Sequence, residues 1–467
     1  LGPNAGVALL LPLSFAMPSE TGLLLLISIY LGCMYGGRIS SILLNTPGET
    51  AAIMTCLDGY PLTQQGKGGK AMGISAFSSF YGGMIGIIFM TFFAPILAGA
   101  ALAFGPPESF AVMIFSLLAI SSVGDSNSLK GFIMVMLGLL ISMIGNDFVS
   151  GKARLTFGIP YLLDGIDFVP VAIGVFGLSE VLSGLEEILS DKKSFGNSLK
   201  LNSLFPTLNE IKNSMRGINI GTICGVIIGV LPGAGATLST FAAYGASKKF
   251  SKHPEEYGKG SLEGVAAPEA ANNACVAGAL TPMLSLGIPG SSVAALIMGG
   301  FIVHGLQPGP LMFEKTPDIA WAIIGGLYIV NIVLLLVNTA MIPVFVGIMK
   351  AAESIIYPLV GVLCVIGVYS VNYSMFDVLV MIIFGAIGYL WKKADFPLAG
   401  MLLALILGPS IENTFRQSLI MSNGNYGIFL NKPISLILLI FSVLFVLYPI
   451  VKDRLKKNKK ETLFNEN

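Results

Sequence analysis

Of 467 residues, 54% are hydrophobic and only 11% charged, with a mean hydropathy of +0.80, a balance that places much of the chain in lipid. Lys and Arg (27) nearly cancel Asp and Glu (26), so nothing points to nucleic acid or to a strongly acidic partner. Five cysteines without CxxC spacing and two histidines argue against disulfides or zinc and for small buried thiols.

The chain opens LGPNAGVALLLPLSF, with no basic n-region and no small-residue cleavage signal. It reads as the start of a fragment rather than as a signal peptide. A spanning helix needs about 20 mostly apolar residues. Candidates in the first half are 21–37, 71–93, 109–124, 128–146 and 165–182. Those in the second are 217–231, 264–282, 319–348, 355–371, 376–391, 397–408 and 433–451. The expected fold is an all-α polytopic membrane protein of about ten to twelve transmembrane helices, several of them discontinuous at Pro-Gly breaks.

Between the halves, residues 186–216 are too polar for lipid and read as an extramembrane linker. Residues 1–185 then form a first transmembrane repeat, incomplete at its amino end, and 217–451 a second. The tail 452–467 carries six Lys or Arg within nine residues and reads as cytoplasmic by the positive-inside rule.

Residues 41–50 read SILLNTPGET and 283–292 read MLSLGIPGSS. Superimposing Asn45 on Gly287 also superimposes Cys33 on Cys275, Gly36 on Gly278, Leu44 on Leu286 and Ala52 on Ala294. Two repeats are the natural reading. The lysine-rich loop KKFSKHPEEYGKG (248–260) answers to the short acidic AMPSET, and the basic TQQGKGGK (63–70) answers to QPGPLMFEKTPD (307–318). Opposite charge at corresponding loops points to inverted repeats. Lys152 and Arg154 in one half and Lys392 and Lys393 in the other, which all look cytoplasmic, speak against it.

Irregular backbone at membrane depth is tolerated only where protein buries it or water lines it. Asn45, Thr46, Pro47 and Gly48 are therefore expected to form a turn facing a cavity. A half-helix starting at Glu49 or Thr50 would point its amino-terminal dipole at an anion there. Gly287, Ile288, Pro289, Gly290, Ser291 and Ser292 repeat the device, with hydroxyls as caps. A Pro-kinked packing helix is the structural alternative for either. Pro232, Gly233 and Gly235 in GVLPGAGATLS make a third break; no GKS or GKT follows, so nucleotide binding is disfavoured, while close helix packing is an equal alternative.

In GVAAPEAANNACVAGALTP (264–282), Glu269, Asn272 and Asn273 stand in an otherwise small and apolar helix beside Pro268. Polar groups at that depth are expensive and usually functional. Amides suit a carboxylate or Na+ equally, which makes Asn45 and Asn273 candidate Na+ ligands; Glu269, with Pro232, Gly233 and Gly235 of the third break, is a coupling-ion or gating candidate. Hydrogen bonding between helices is the alternative for the asparagines. Arg38 either meets a substrate carboxylate or pairs within the fold.

The strings YGGRISSILLNTPGETAAIMTCLDGYPLTQQGKGGKA, GVLPGAGATLSTF, GVAAPEAANNACVAGALTPMLSLGIPGSS and ENTFRQSLIMSNGNYGIFLNKPIS resemble the large membrane subunit of the tripartite tricarboxylate transporter family. The resemblance covers nearly the whole chain. It implies a multi-pass bacterial inner-membrane permease that works with a small membrane subunit and an extracytoplasmic solute-binding protein. Its cargo would be a tricarboxylate or dicarboxylate, driven by a Na+ or H+ gradient and without a cofactor. The family's pattern puts a Pro-Gly turn and a helix ahead of what is LGPNAG here, and a small polar residue where Arg38 stands. A passive anion channel is the alternative function, although a channel usually repeats its filter around a symmetric oligomer. An enzyme is not expected, since no GxSxG elbow, metal cluster or paired acid and base is present.

Overall fold

The structure is a computed structural model and describes residues 2–123, 128–147, 150–189, 206–341 and 353–445. The helices in chain order are α1 (Pro3–Phe15), α2 (Ser19–Leu44), α3 (Ile53–Gln64), α4 (Gly68–Ala101), α5 (Pro106–Val123) and α6 (Ser128–Ser142). After the strands β1 (Gly145–Asn146) and β2 (Ala153–Arg154) come α7 (Phe168–Ala172), α8 (Ser179–Leu189), α9 (Leu208–Val230), α10 (Gly235–Phe250), α11 (Leu262–Leu286) and α12 (Ser292–Val303). The series ends with α13 (Met312–Lys315), α14 (Pro317–Ala340), α15 (Glu353–Asn372), α16 (Met375–Lys393), α17 (Leu398–Met421), α18 (Ile428–Asn431) and α19 (Pro433–Phe445). A π-helical stretch, Ile173–Leu178, joins α7 to α8. The protein is all-α and polytopic: among the described residues six helices are long and apolar enough to cross a membrane by themselves, and six shorter apolar helices accompany them.

Several bounds differ from the sequence reading. α9 starts at Leu208, inside the stretch read as a linker, because Thr207 and Glu210 form a capping box: the Thr207 hydroxyl accepts the Glu210 N–H, and the Glu210 carboxylate accepts the Thr207 N–H. α8 likewise runs on to Leu189. The span read at 128–146 stops at Ser142, since Gly145 (φ 119) turns the chain into β1. The span read at 397–408 continues to Met421 through Pro409. Residues 190–205 of the linker and the basic tail at 452–467 lie outside the described residues.

The chain divides into two compact units, Leu1–Leu102 with Val169–Leu390, and Ala103–Phe168 with Trp391–Asn467. Each takes segments from both sides of the polar stretch.

The first unit is built around α11, in which every residue from Gly264 to Ser285 is buried. A helix buried on all sides has neighbours on all sides, and they come close because both partners are small. On α9, Gly221 faces the Ala267 carbonyl, Gly225 faces Ala271 and Gly229 faces Cys275; on α4, Gly82 faces Ala270 and Gly86 faces Ala274. A Cβ at any of them would press on α11 backbone, the small-residue packing used between helices in lipid. Cys56, Cys275 and Cys364 are buried and Cys33 and Cys224 partly so.

The second unit packs α17 against α6 and α5, with Gly138 against the Met401 carbonyl. The β1–β2 hairpin pairs Gly145 with Arg154. Asp147 beside it accepts from both Nη nitrogens of Arg416 at 2.9 Å, and Arg154 holds Glu412 at 2.8 and 3.1 Å.

Candidate functional site

Three chain breaks surround α11. The first follows α2, which ends when Asn45 takes the left-handed conformation (φ 54) that asparagine tolerates better than most residues. The Thr46 N–H returns to the Ser40 carbonyl at 3.3 Å, and Pro47 prevents the helix from continuing. Asn45, Pro47 and Gly48 are exposed and Thr46 partly so. Gly48 lies so near Gly37 that a Cβ would stand 2.9 Å from the Gly37 Cα. Glu49 is extended, Thr50–Ala52 form a 3-10 turn, and α3 begins at Ile53.

The second break follows α11, closed by Gly287 (φ 70) with the Ile288 N–H on the Pro282 carbonyl. Here Ile288, Pro289 and Gly290 are buried, unlike the exposed first turn. The Gly290 N–H reaches the Ala279 carbonyl at 3.2 Å. Ser291 caps α12 by accepting the Ala294 N–H at 3.2 Å and shares a 3.1 Å hydrogen bond with the Tyr30 hydroxyl. The third break uses Gly233 (φ 79) and Gly235 (φ 62) around Ala234, with Pro232 buried. All three are tied together: the Gly233 N–H donates to the Gly290 carbonyl at 3.2 Å, and the Thr50 and Thr237 hydroxyls lie 2.7 Å apart.

Beside these breaks lies a buried polar network. Arg38 is 0% exposed and Glu269 1%. The Glu269 carboxylate accepts from Thr55 at 2.6 Å and from Ser79 at 3.1 Å, while an Arg38 Nη1 hydrogen donates to Ser79 at 3.4 Å. Ser79 thus stands between the two charges. Arg38 also lies over the Tyr35 ring, 5.4 Å from its centroid, and the Tyr35 hydroxyl donates to Asn331. Asn272 donates to Glu49 at 3.0 Å, and Asn273 donates to the Glu269 carbonyl in its own helix. Arg38 Nε and Nη2 and the Oδ1 atoms of Asn272 and Asn273 are buried without a hydrogen-bond partner. Buried polar atoms are seldom left unmatched, so this region has unused capacity for both an anion and a cation.

Of the residues singled out in the sequence, Arg38 and Glu269 share one network, Asn272 is joined to the first break through Glu49, and Gly233 is bonded to Gly290. Among the described residues no hydrogen bond joins Asn45 to Asn273. The amino end of the α3 segment, read as open to an anion, is preceded by Glu49, whose carboxylate does not cap it but accepts from Asn272. Sequence reasoning missed Glu49, although a carboxylate directly after Pro47-Gly48 in an apolar stretch was a visible signal. Thr55, Ser79 and Thr237 carried no such signal, since hydroxyls are common in membrane helices.

Elsewhere, Asp58 is 0% exposed and accepts the N–H groups of Gly258, Gly260 and Ser261 at 2.8 to 2.9 Å and the Tyr244 hydroxyl at 2.8 Å. It clasps the lysine-rich loop to α3. Lys70 and Glu210 pair at 2.6 Å, and this lysine holds the Glu210 carboxyl below its ordinary range. In the second unit a cavity of about 740 Å³ is lined by Asn146, Asp147, Arg154, Asp164, Glu412 and Arg416 among others, and by none of the sequence-derived candidates.

The family model described as "Tripartite tricarboxylate transporter TctA family" matches residues 1–403. A 52.8 kDa Agrobacterium vitis protein, described as uncharacterized and lying in the TAR-I ttuC' 3' region, is 38% identical over 460 residues, 98% of this chain and 91% of its own. A second protein of that organism, from the TAR-II ttuC' 3' region, is 37% identical over 233 residues, 49% of this chain and 96% of its own. No solved structure matches. With the family model spanning most of the chain, including all three breaks and α11, this protein belongs to the tripartite tricarboxylate transporter TctA family.

Proposed function

We propose that the chain is the large permease subunit of a tripartite secondary transporter that imports a tricarboxylate or dicarboxylate by alternating access, driven by a Na+ or H+ gradient. The observation that carries this reading is the convergence of three Pro-Gly breaks on one buried helix whose polar groups are only partly satisfied. Discontinuous helices around a central site are how secondary transporters expose backbone and side-chain groups to cargo without stranding them in lipid.

In this mechanism the cargo carboxylates are held at Asn45–Gly48 and at Gly287–Ser291, with Asn272 and Asn273 lining the site and the unused guanidinium nitrogens of Arg38 as further donors. Pro232, Gly233 and Gly235 form the hinge between the moving turns, and Glu269 acts in coupling or gating. Two inverted repeats would exchange roles between outward-open and inward-open states. An extracytoplasmic binding protein would deliver the anion and a small membrane subunit would complete the permease, in a bacterial inner membrane with the carboxyl terminus cytoplasmic. The cation would reduce the cost of moving a multiply charged anion.

The test is uptake of labelled citrate by proteoliposomes holding both membrane subunits, with the cognate binding protein added. Accumulation above the equilibrium level under an imposed Na+ or pH gradient is expected. Flux that only equilibrates citrate would establish a passive channel instead.

A further inference from the structure

Two carboxylates lie beside the breaks, and their surroundings differ. Glu269 receives two hydroxyl hydrogen bonds and has Arg38 across Ser79. Its charge is compensated from within the protein. Glu49 receives one hydrogen bond, from Asn272 Nδ2 at 3.0 Å, and among the described residues no Lys, Arg or His forms an ion pair with it. The titratable groups that face it are Tyr30 and Cys33 on α2, and Cys275 and Glu269 on α11. None of these brings a positive charge.

An uncompensated carboxylate among apolar helices is costly, so Glu49 needs a cation that the described residues do not provide. A second observation supplies a further ligand atom for it. Asn272 is 2% exposed, and its Oδ1, on the same amide that holds Glu49, has no partner. A carboxylate oxygen and an amide oxygen are the donors that hard cations favour. Glu49 is only partly buried and adjoins the exposed turn, so an ion can reach it. Thr50, next in the chain, touches Thr237 of the third break, so a cation at Glu49 would act on the packing of one break against another.

We propose that Glu49, with Asn272 Oδ1, is the monovalent-cation site of this protein, occupied by Na+ or by a proton on the carboxylate. The assignment rests on the transporter reading above and moves the coupling role from Glu269 to Glu49. Glu269 instead remains a fixed partner of Arg38.

The test uses the purified full chain in detergent, and thermal unfolding supplies a readout that needs no cargo. If the ion is Na+, NaCl raises the midpoint of the wild-type protein by several degrees over equimolar choline chloride. Glu49→Gln then loses that shift, and Asn272→Ala needs about tenfold more Na+ to reach it. If the ion is a proton, NaCl and choline chloride act alike, and the wild-type midpoint rises as pH falls from 8 to 6. Glu49→Gln then shows a flat profile, and Asn272→Ala displaces the midpoint of the pH dependence. Glu210→Gln, outside the site, keeps the wild-type cation response in either case. The proposal is overturned if Glu49→Gln keeps the wild-type response to both Na+ and pH. Should that variant fail to fold, an unchanged response in Asn272→Ala overturns it equally. Citrate uptake failing in the wild type would defeat the transporter reading but leave these unfolding results to decide the ion site.

Discussion

The Gly233 N–H donates to the Gly290 carbonyl at 3.2 Å, linking the turn after α9 to the turn after α11. The two Pro-Gly breaks are therefore one structural unit, and a shift at either is transmitted to the other through backbone. The close approach depends on Gly290 having no side chain.

Gly290→Ala tests this link. A Cβ there would stand 2.5 Å from the Gly229 carbonyl oxygen and 2.6 Å from the Ala279 Cα, and these backbone atoms cannot move independently of their helices. Overpacking of this kind costs about 1–3 kcal/mol, and the expected result is a lower unfolding midpoint together with loss of citrate uptake. Gly36→Ala is the control, because nothing lies within 4 Å of its Cβ position. There the change removes the helix penalty of glycine, roughly 0.5–1 kcal/mol, and the midpoint should hold or rise.

Arg38 and Glu269 should behave as a charge pair whose members are each harmful alone. Removing one buried partner leaves the other uncompensated, at a cost of roughly 3–5 kcal/mol. Arg38→Met and Glu269→Gln are each expected to lower stability strongly, and the double variant to recover a substantial part of the loss. A double-mutant cycle measured by unfolding in detergent reads the coupling, and strict additivity would show that Ser79 insulates the two groups.

Outside the membrane-spanning region, Glu210 provides a pH-dependent contribution. Its carboxyl is held below the ordinary range, first by Lys70 and then by the Thr207 N–H. A group with a depressed folded-state pKa stabilises the fold above its unfolded value, near 4.3 for glutamate, and loses that contribution as pH falls through the folded value. The pair is 30% and 26% exposed, so its worth is that of a partly screened ion pair, about 0.2–1 kcal/mol. Between pH 7 and pH 4 the wild type should lose slightly more stability than Glu210→Gln, and 1 M NaCl should narrow the difference.

Much of the architecture was legible from local chemistry. Pro47-Gly48 and Pro289-Gly290 announce themselves because proline removes a helix donor and glycine admits the left-handed turn, whatever the rest of the chain does. The polar residues of α11 stood out because amides and carboxylates are rare in so apolar a helix. The start of α9 lies ahead of the apolar span read at 217–231 for the converse reason: its first turns are polar, and hydropathy registers lipid exposure rather than helix formation, which Thr207 and Glu210 secure by capping.

Pairing was harder to read. Glu49 and Asn272 are separated by 223 residues, and nothing in either segment specifies the other. The same holds for Arg154 and Arg416, which read as topological charge and as part of a family string, yet meet in one ionic cluster with Asp147 and Glu412.

By itself, then, the sequence determined that this protein is a membrane-embedded helical chain interrupted at three Pro-Gly turns with polar groups beside them, since hydropathy and backbone conformation are properties of short segments. Only the tertiary structure decided that Arg38 compensates Glu269, that Glu49 has no cationic partner among the described residues, and that one turn is exposed while its counterpart is buried. Those outcomes depend on which helices surround α11 and how closely their glycines let them approach, and electrostatic compensation follows from distance in space, which no local pattern encodes.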